Sequence, residues 1–447
     1  MSKKQPFELR VEFKEFLHFI RHSKLMMFGL ILNVIWLVGT VSLYIYLGLE
    51  GTLNDTIITY DFDVFYTSGS VLRDDLSQLY TSSLYELPFR YLPSFAYVFA
   101  SLTYLPYSLV YIGLVFVSTS IHFASTFLVY ELSTKYYNIS TKSRPWLKAI
   151  FIFFMAPVQV VNYLLGQISP IFIFFMLGAL FFFENIKKPI YQIPRANLYG
   201  GIFIGLALML KPFAILFLPF LIDIKIGRGT GVEKPYYINL NSTLPRILGI
   251  LIILSPNIIF FLVHPGIFID FVNINFVDTL DYHHSTSLTR IIIYGGQRLD
   301  LSIPKFTVMM ILLLAFYVPI YIRFVLTPQE KVKITYFFEE ALLVLLLVYS
   351  DSWFLYFVIW YAPLVPMIGD LDRFARKTDR KVQIWFFRKI AKFHMIYFSI
   401  GVVLYYVVLG YDPVTPPILL AFYLFSEHLI WKKHKYDMAD GKKSSIR

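Results

Sequence analysis

Residues 25–49 read LMMFGLILNVIWLVGTVSLYIYLGL, a run without a single charged side chain. A helix rises about 1.5 Å per residue, so this run is long enough to cross a hydrocarbon core of about 30 Å. The 447-residue chain is 57% hydrophobic and 15% charged, whereas a soluble domain carries about 25% charged residues. The sequence therefore predicts an all-α, multi-pass membrane protein with about 11–13 transmembrane or half-membrane helices.

Composition also excludes several classes of function. The chain has no cysteine, which removes disulfides and cysteine metal sites. Its net charge of +11 comes from basic residues that cluster in short loops between apolar runs, as the positive-inside rule predicts. Nucleic-acid binding is not expected, because no basic soluble domain is left to carry it. The first apolar run has no small-residue cleavage site after it, so we expect it to stay as an anchor.

The charge pattern predicts the organisation of the chain. Residues 1–24 form a basic, amphipathic cytoplasmic tail, and residues 432–447 form a second basic cytoplasmic tail. Residues 25–431 form the membrane domain, whose acidic loops at 50–90 and 265–303 lie outside the cytoplasm. We predict membrane helices at 25–49, 91–105, 107–131, in two runs over 148–184, in two runs over 198–224, and at 246–264, 304–322, 336–349, 353–369, 394–410 and 415–431.

The number of helices predicted over 91–131 and the charge of the loop that follows them predict opposite topologies. Two full crossings over 91–131 would place the basic loop that follows on the outside. Either one of these helices is re-entrant, or the loop breaks the charge rule. The pattern leaves both alternatives open.

The stretch YDFDVFY at residues 60–66 places two carboxylates, Asp61 and Asp63, just after the first span. Charge counting brings three chain breaks to the same face: the turn at Gln167, the Lys211-Pro212 break and the Ser350–Trp353 break. The loop with His283 and His284 lies on that face as well. A lysine in the middle of an apolar hairpin is costly unless it faces a cavity or a partner.

These residue types suit a lipid-phosphate sugar donor. Lysine can neutralise a phosphate as a compact point charge, and Arg90 or Arg290 could assist it. A carboxylate can accept the proton of an attacking hydroxyl. Single displacement at the anomeric carbon would invert its configuration.

The order of several motifs resembles glycosyltransferase family 87. The motifs are DFDVFY at 61–66 followed by Tyr80, FRYLP at 89–93 with LP at 105–106, LGQ at 165–167, GGIFIGLA at 200–207 ending in LKP at 210–212, and SDSW at 350–353. The resemblance runs from about residue 55 to 369, and it is carried by order and spacing rather than by any one motif. Two departures concern the acceptor: Phe354, Leu355 and Tyr356 stand where the family often has histidine, and 284–287 read HSTS where it often reads Asn-Gln-Ser.

The resemblance implies a GT-C membrane glycosyltransferase. It would transfer mannose, or another hexose, from a polyprenyl or dolichyl phosphate to a lipid-linked glycan or glycolipid on the extracytoplasmic face. Asp61 would be the general base, with Asp63 as a second acid, and no metal or other cofactor is implied. The residues expected to bind substrate are Asp63, Tyr66, Arg90, Gln167, Lys211, His283, His284, Arg290, Trp353 and Tyr356.

Two other classes of protein remain open at this point. A multi-pass transporter or flippase also uses broken helices around a central site, and it predicts a loop without regular structure at 50–90. A non-enzymatic scaffold predicts no cavity that connects Asp61 with Lys211.

Overall fold

The computed structural model describes residues 5–6, 8–53, 56, 58–155, 157–226, 236–277, 285–326, 334–350, 352–378, 389 and 415–444. The helices are α1 Leu9–His22, α2 Lys24–Glu50, α3 Tyr60–Asp74, α4 Pro93–Leu102, α5 Tyr107–Glu131, α6 Arg144–Met155, α7 Pro157–Leu165, α8 Ser169–Lys187, α9 Ala196–Leu210, α10 Leu240–Val263, α11 Pro265–Val272, α12 Leu288–Arg298, α13 Lys305–Leu326, α14 Ile334–Val348, α15 Phe357–Thr378 and α16 Thr415–Ser444. Shorter 3₁₀ segments lie at Leu76–Gln78, Pro212–Leu221 and Phe354–Tyr356. The only strands in these ranges form two small pairs, parallel β1 Gln5–Pro6 with β2 Tyr191–Gln192, and antiparallel β3 Ile224–Ile226 with β4 Tyr236–Ile238.

The predicted all-α membrane fold is confirmed. Within the described part of the chain, six segments are long and apolar enough to span a membrane: α2, α5 with the π turn that follows it, α6 together with α7, α8, α10 and α13. Three shorter apolar segments accompany them: α4, α9 and Pro212–Leu221. The span predicted at 394–410 lies outside the described residues. The helix predicted at 415–431 begins at Thr415 as expected, but it continues to Ser444 as α16 and so includes most of the predicted basic tail.

Local sequence signals set the ends of the first span. The Ser23 side chain accepts a hydrogen bond from the Met26 amide at 3.3 Å and caps α2. Gly51 has φ 71° and donates its amide to the carbonyl of Leu47, which ends the helix in the left-handed conformation that favours glycine. The span thus agrees with the predicted 25–49 to within one residue at each end.

The length of α4 favours the re-entrant alternative for residues 91–148. Ten residues of helix cover only about 15 Å, which is too short for a crossing, and α4 packs instead along α3. The contact is close because Gly69 of α3 lies against the Phe99 backbone, where a Cβ would come within 2.5 Å of the Phe99 carbonyl carbon. Of the two helices, only α5 is long and apolar enough to span a membrane, and the loop with Lys135 lies at the end of the bundle that holds α1. Lys135 and Glu12 of α1 form an ion pair there at 2.8 Å.

The core lies around α14, whose residues are all buried. Helices α8, α13, α15 and α16 pack around it. One pair of stacked rings, Phe217 and Phe338, joins it to the Pro212–Leu221 segment with centroids 4.4 Å apart. By contrast, α13 buries only 22% of its most apolar window. Helix α14 is therefore enclosed by protein, whereas most of the apolar surface of α13 is exposed.

Candidate active site

Asp61 lies in the first turn of α3. Thr59 precedes the helix with φ 70° and donates its amide to the Leu164 carbonyl at 2.8 Å, which ties the start of α3 to the end of α7. A carboxylate in the first turn of a helix is stabilised by the helix dipole. The fold therefore holds Asp61 at a fixed place beside the turn that follows α7.

That turn contains Gly166 and Gln167. Gly166 has φ 70°, and a Cβ there would lie 2.5 Å from the Phe62 Cβ, so both its conformation and its space require glycine. The Gln167 amide donates to the Asn162 carbonyl at 2.8 Å. The Gln167 side chain is consequently buried and forms a hydrogen bond with the Asp61 carboxylate.

Lys211 stands where α9 ends and the 3₁₀ segment begins. Its backbone is extended, because the residue before a proline avoids the helical region. The side chain is 2% exposed, and its Nζ atom lies 3.5 Å from Gln167 Oε1. Gln167 thus bridges Asp61 and Lys211, donating from its amide nitrogen to the first and accepting from the second.

Three aromatic rings surround the Lys211 ammonium. Its Nζ atom lies 4.5 Å from the ring centre of Tyr356 and 5.8 Å from those of Tyr91 and Phe213. Each ring presents a partial negative charge to a cation at this distance. The cage helps to keep an ammonium in a place where water cannot solvate it.

Burial raises the pKa of Asp61 from its ordinary value to about 6, and the hydrogen bond from Gln167 and the charge of Lys211 act in the opposite direction. The carboxylate is mainly ionised at neutral pH and is more basic than one in solvent. This combination suits a group that must accept a proton during a reaction.

A cavity of about 260 Å³ joins these groups. Six of the predicted site residues line it: Asp61, Arg90, Gln167, Lys211, Trp353 and Tyr356. None of the other lining residues was predicted to bind substrate; they are Val64, Phe65, Leu87, Pro88, Tyr91, Pro212, Phe213, Ile215, Leu216, Asn275, Phe306, Met309, Met310, Leu313, Leu345, Val348, Tyr349 and Leu355. The polar groups gather at the α3 side, and α13 and α14 supply an apolar side.

Three predicted residues do not line this cavity. Asp63 lies two positions after Asp61 and so points to another side of α3. It faces Tyr107, and burial together with the charge of Glu86 raises its pKa. The Tyr66 hydroxyl donates to the Leu105 carbonyl at 2.8 Å. Arg290 lies in the first turn of α12, where its amide is capped by the Ser287 hydroxyl.

His283 and His284 fall outside the described residues. Among the described residues, no group of three or more histidine, aspartate or glutamate side chains comes together as a metal site. Asn275 was missed because its only signal was a polar residue in an apolar stretch. Its amide nitrogen is bound to the Phe271 carbonyl at 2.9 Å, which leaves its carbonyl oxygen for other partners.

Residues 89–230 match the model of glycosyltransferase family 87. The match indicates a membrane glycosyltransferase, in agreement with the resemblance noted in the sequence. It includes Arg90, Gln167 and Lys211, whereas Asp61 precedes it. No protein in a search of curated sequences matches the chain.

Proposed function

We propose that the chain is a GT-C glycosyltransferase that uses a polyprenyl- or dolichyl-phosphate sugar, with mannose or another hexose as the sugar. The acceptor is a lipid-linked glycan or a glycolipid. The active site opens on the extracytoplasmic side of the cell membrane, and both termini lie in the cytoplasm. One observation carries the proposal: a basic carboxylate and a buried ammonium, Asp61 and Lys211, face the same cavity.

Asp61 and Lys211 have different roles in a single displacement. Asp61 accepts the proton of the acceptor hydroxyl as its oxygen attacks the anomeric carbon. The bond between that carbon and the phosphate oxygen breaks, and polyprenyl phosphate leaves with the bonding electrons. Lys211, with Arg90 from the lining of the same cavity, holds the phosphate and stabilises the negative charge that develops on it. Attack from the face opposite the phosphate inverts the anomeric configuration.

The apolar side of the cavity supports a donor that carries a lipid chain. Phe306, Met309 and Met310 of α13 line it together with Ile215 of the 3₁₀ segment. Phe306 is 50% exposed and Ile215 is 58% exposed, so this wall continues onto the outer surface of the helix bundle. In a membrane protein that surface meets lipid, which gives an isoprenoid chain a path between α13 and the 3₁₀ segment.

The regular secondary structure in the first loop, residues 50–90, favours an enzyme over a transporter. Residues 60–74 form a helix and 76–78 a 3₁₀ turn, and Leu87, Pro88 and Arg90 line the cavity. The cavity lined by both Asp61 and Lys211 is also the feature that a scaffold without activity would lack.

A transfer assay with polyprenyl-phosphate mannose tests the proposal. The purified protein in nanodiscs is given a glycolipid acceptor mixture, and the variant Asp61→Asn is compared with wild type. We expect the variant to lose at least about 10²-fold in rate, the low end for removal of a general base. Asp74→Asn, at the exposed last position of the same helix, serves as the matched control and should keep its rate. Equal transfer by Asp61→Asn and wild type would refute the assignment.

A further inference from the structure

Helix α1 meets the membrane at the end of the bundle opposite the cavity. Only Ser23 separates α1 from α2, and its extended backbone stops α1 before the span begins at Lys24. Since α2 is one of the spanning helices, α1 is held at a membrane–water boundary. It cannot extend far into solvent, because its side chains pack on neighbouring spans.

The inner face of α1 is occupied by the protein. Phe16 lies with its ring 5.6 Å from that of Phe127 and 5.4 Å from that of Tyr130. The two acidic residues in the middle of the helix, Glu12 and Glu15, both pair with Lys135, at 2.8 and 2.9 Å. The acids of α1 are therefore directed towards a cation of the bundle.

The outer face of α1 is basic. Arg10, Lys14 and Arg21 are exposed and lie at helical spacings of 4 and 7 residues, which places them in one stripe. Leu17 lies in the same stripe and is 38% exposed. Glu8, before the first turn, is the other exposed acid of this segment besides Glu15.

The neighbouring surface carries the same charge. Lys142, Arg144 and Lys148 are exposed around the start of α6. This part of α6 lies beside α1, because the Phe19 ring is 5.6 Å from that of Trp146. The basic stripe thus continues into a basic patch at the level where α2 and α6 enter the membrane.

We propose that the stripe formed by Arg10, Lys14 and Arg21 binds the headgroups of anionic phospholipids. A basic helix that lies in the interface and carries apolar side chains between its cations is suited to an anionic lipid surface. Lysine and arginine near such a surface are each attracted to it, within about one Debye length. The inference does not depend on the proposed enzymatic activity.

The absence of cysteine from the sequence allows a local test. A fluorophore is attached to the variant Leu17→Cys in nanodiscs of phosphatidylcholine, and a few per cent of a nitroxide-labelled lipid is added as a quencher. Quenching by labelled phosphatidylglycerol is divided by quenching by labelled phosphatidylcholine. We expect a ratio of at least about 2 at low salt, and a ratio near 1 at about 1 M salt, where the Debye length falls to about 3 Å.

Two controls make the result specific. The label at Leu49→Cys, an exposed position at the other end of α2, should give a ratio near 1. The variant Arg10→Gln/Lys14→Gln/Arg21→Gln should lower the ratio at position 17 towards 1, whereas Arg73→Gln/Arg298→Gln at the cavity end should leave it unchanged. A ratio of 1 for the wild-type helix would overturn the proposal. A ratio that survives the triple substitution, or falls equally with the control pair, would overturn it as well.

Discussion

The Nζ atom of Lys211 lies 4.5 Å above the ring of Tyr356. The sequence predicted that Lys211 and Tyr356 both bind the substrate. Their contact assigns Tyr356 a second role, because a ring at this distance holds the ammonium in place before any substrate arrives.

The ring of Tyr356, rather than its hydroxyl, should matter for donor binding. A desolvated cation–π contact is worth about 2 kcal/mol, so Tyr356→Leu should raise the KM for the polyprenyl-phosphate donor by roughly 10- to 30-fold. Tyr356→Phe keeps the ring and should stay within about threefold of wild type, the cost of one ordinary hydrogen bond. Steady-state kinetics with varied donor measure both. A larger defect for phenylalanine than for leucine would show that the hydroxyl binds the substrate.

The pH profile should report the pKa of Asp61. The base works only when ionised, and its pKa is raised to about 6. Activity should therefore fall as the pH drops through about 6, instead of persisting to about 4 as for an ordinary aspartate. A profile of kcat/KM against pH checks this, and an acid limb near pH 4 would contradict it.

The profile of kcat/KM against pH should shift when Gln167 is replaced. Gln167→Leu removes a hydrogen bond that favours the ionised form, so the pKa of Asp61 should rise and the acid limb should shift to higher pH. Gln78→Leu, at an exposed glutamine in the 3₁₀ segment Leu76–Gln78, should leave the limb where it is. An unmoved limb in Gln167→Leu would mean that another group is titrating.

Blocking the apolar wall should discriminate between donors by chain length. Met310→Trp fills the part of the cavity that α13 lines. We expect kcat/KM for a long polyprenyl donor to fall by at least about 10-fold, since overpacking costs about 1–3 kcal/mol, while a donor with one or two isoprene units is less affected. The adjacent Ile311→Trp provides the control, because Ile311 is 62% exposed and does not line the cavity. Equal losses with both donors would place the lipid chain elsewhere.

Gly166 should be intolerant of even one methyl group. Gly166→Ala requires an L-residue in a left-handed conformation, which costs about 1–2 kcal/mol, and it forces the Phe62 side chain away. The melting temperature of the purified protein should fall, and activity should fall with it because Phe62 is adjacent to Asp61. Gly113→Ala, where a Cβ meets no atom within 4 Å, should be neutral or slightly stabilising. Equal melting temperatures for the two variants would contradict this account.

The sequence predicted apolar helices at all six of the candidate spans found in the described residues, because apolar length is a local property. It also predicted the convergence of Gln167 and Lys211, since both occupy breaks at the same end of the bundle. It did not separate Asp61 from Asp63 by geometry, because residues 50–90 were predicted as an acidic loop. Once α3 begins at Tyr60, the two carboxylates point in different directions.

The residues of α13 that form the apolar side of the cavity could not be predicted from sequence, for a different reason. Most side chains of a membrane span are apolar, so Met310, which lines the cavity, looks the same in sequence as Ile311, which is 62% exposed. The π turn that buries Asn275 after α11 has no sequence signature either. Only the packing of α13 against the rest of the bundle selects these residues.

The contrast between α14 and α13 has a mechanical consequence. Helix α14 is enclosed by protein along its whole length, so its tilt is set by its neighbours. Most of the surface of α13 is exposed rather than packed against protein. An exposed span can tilt to match the thickness of the bilayer around it. Since each helix lines the cavity, we expect the width of the cavity to depend on the thickness of the bilayer in which the protein resides.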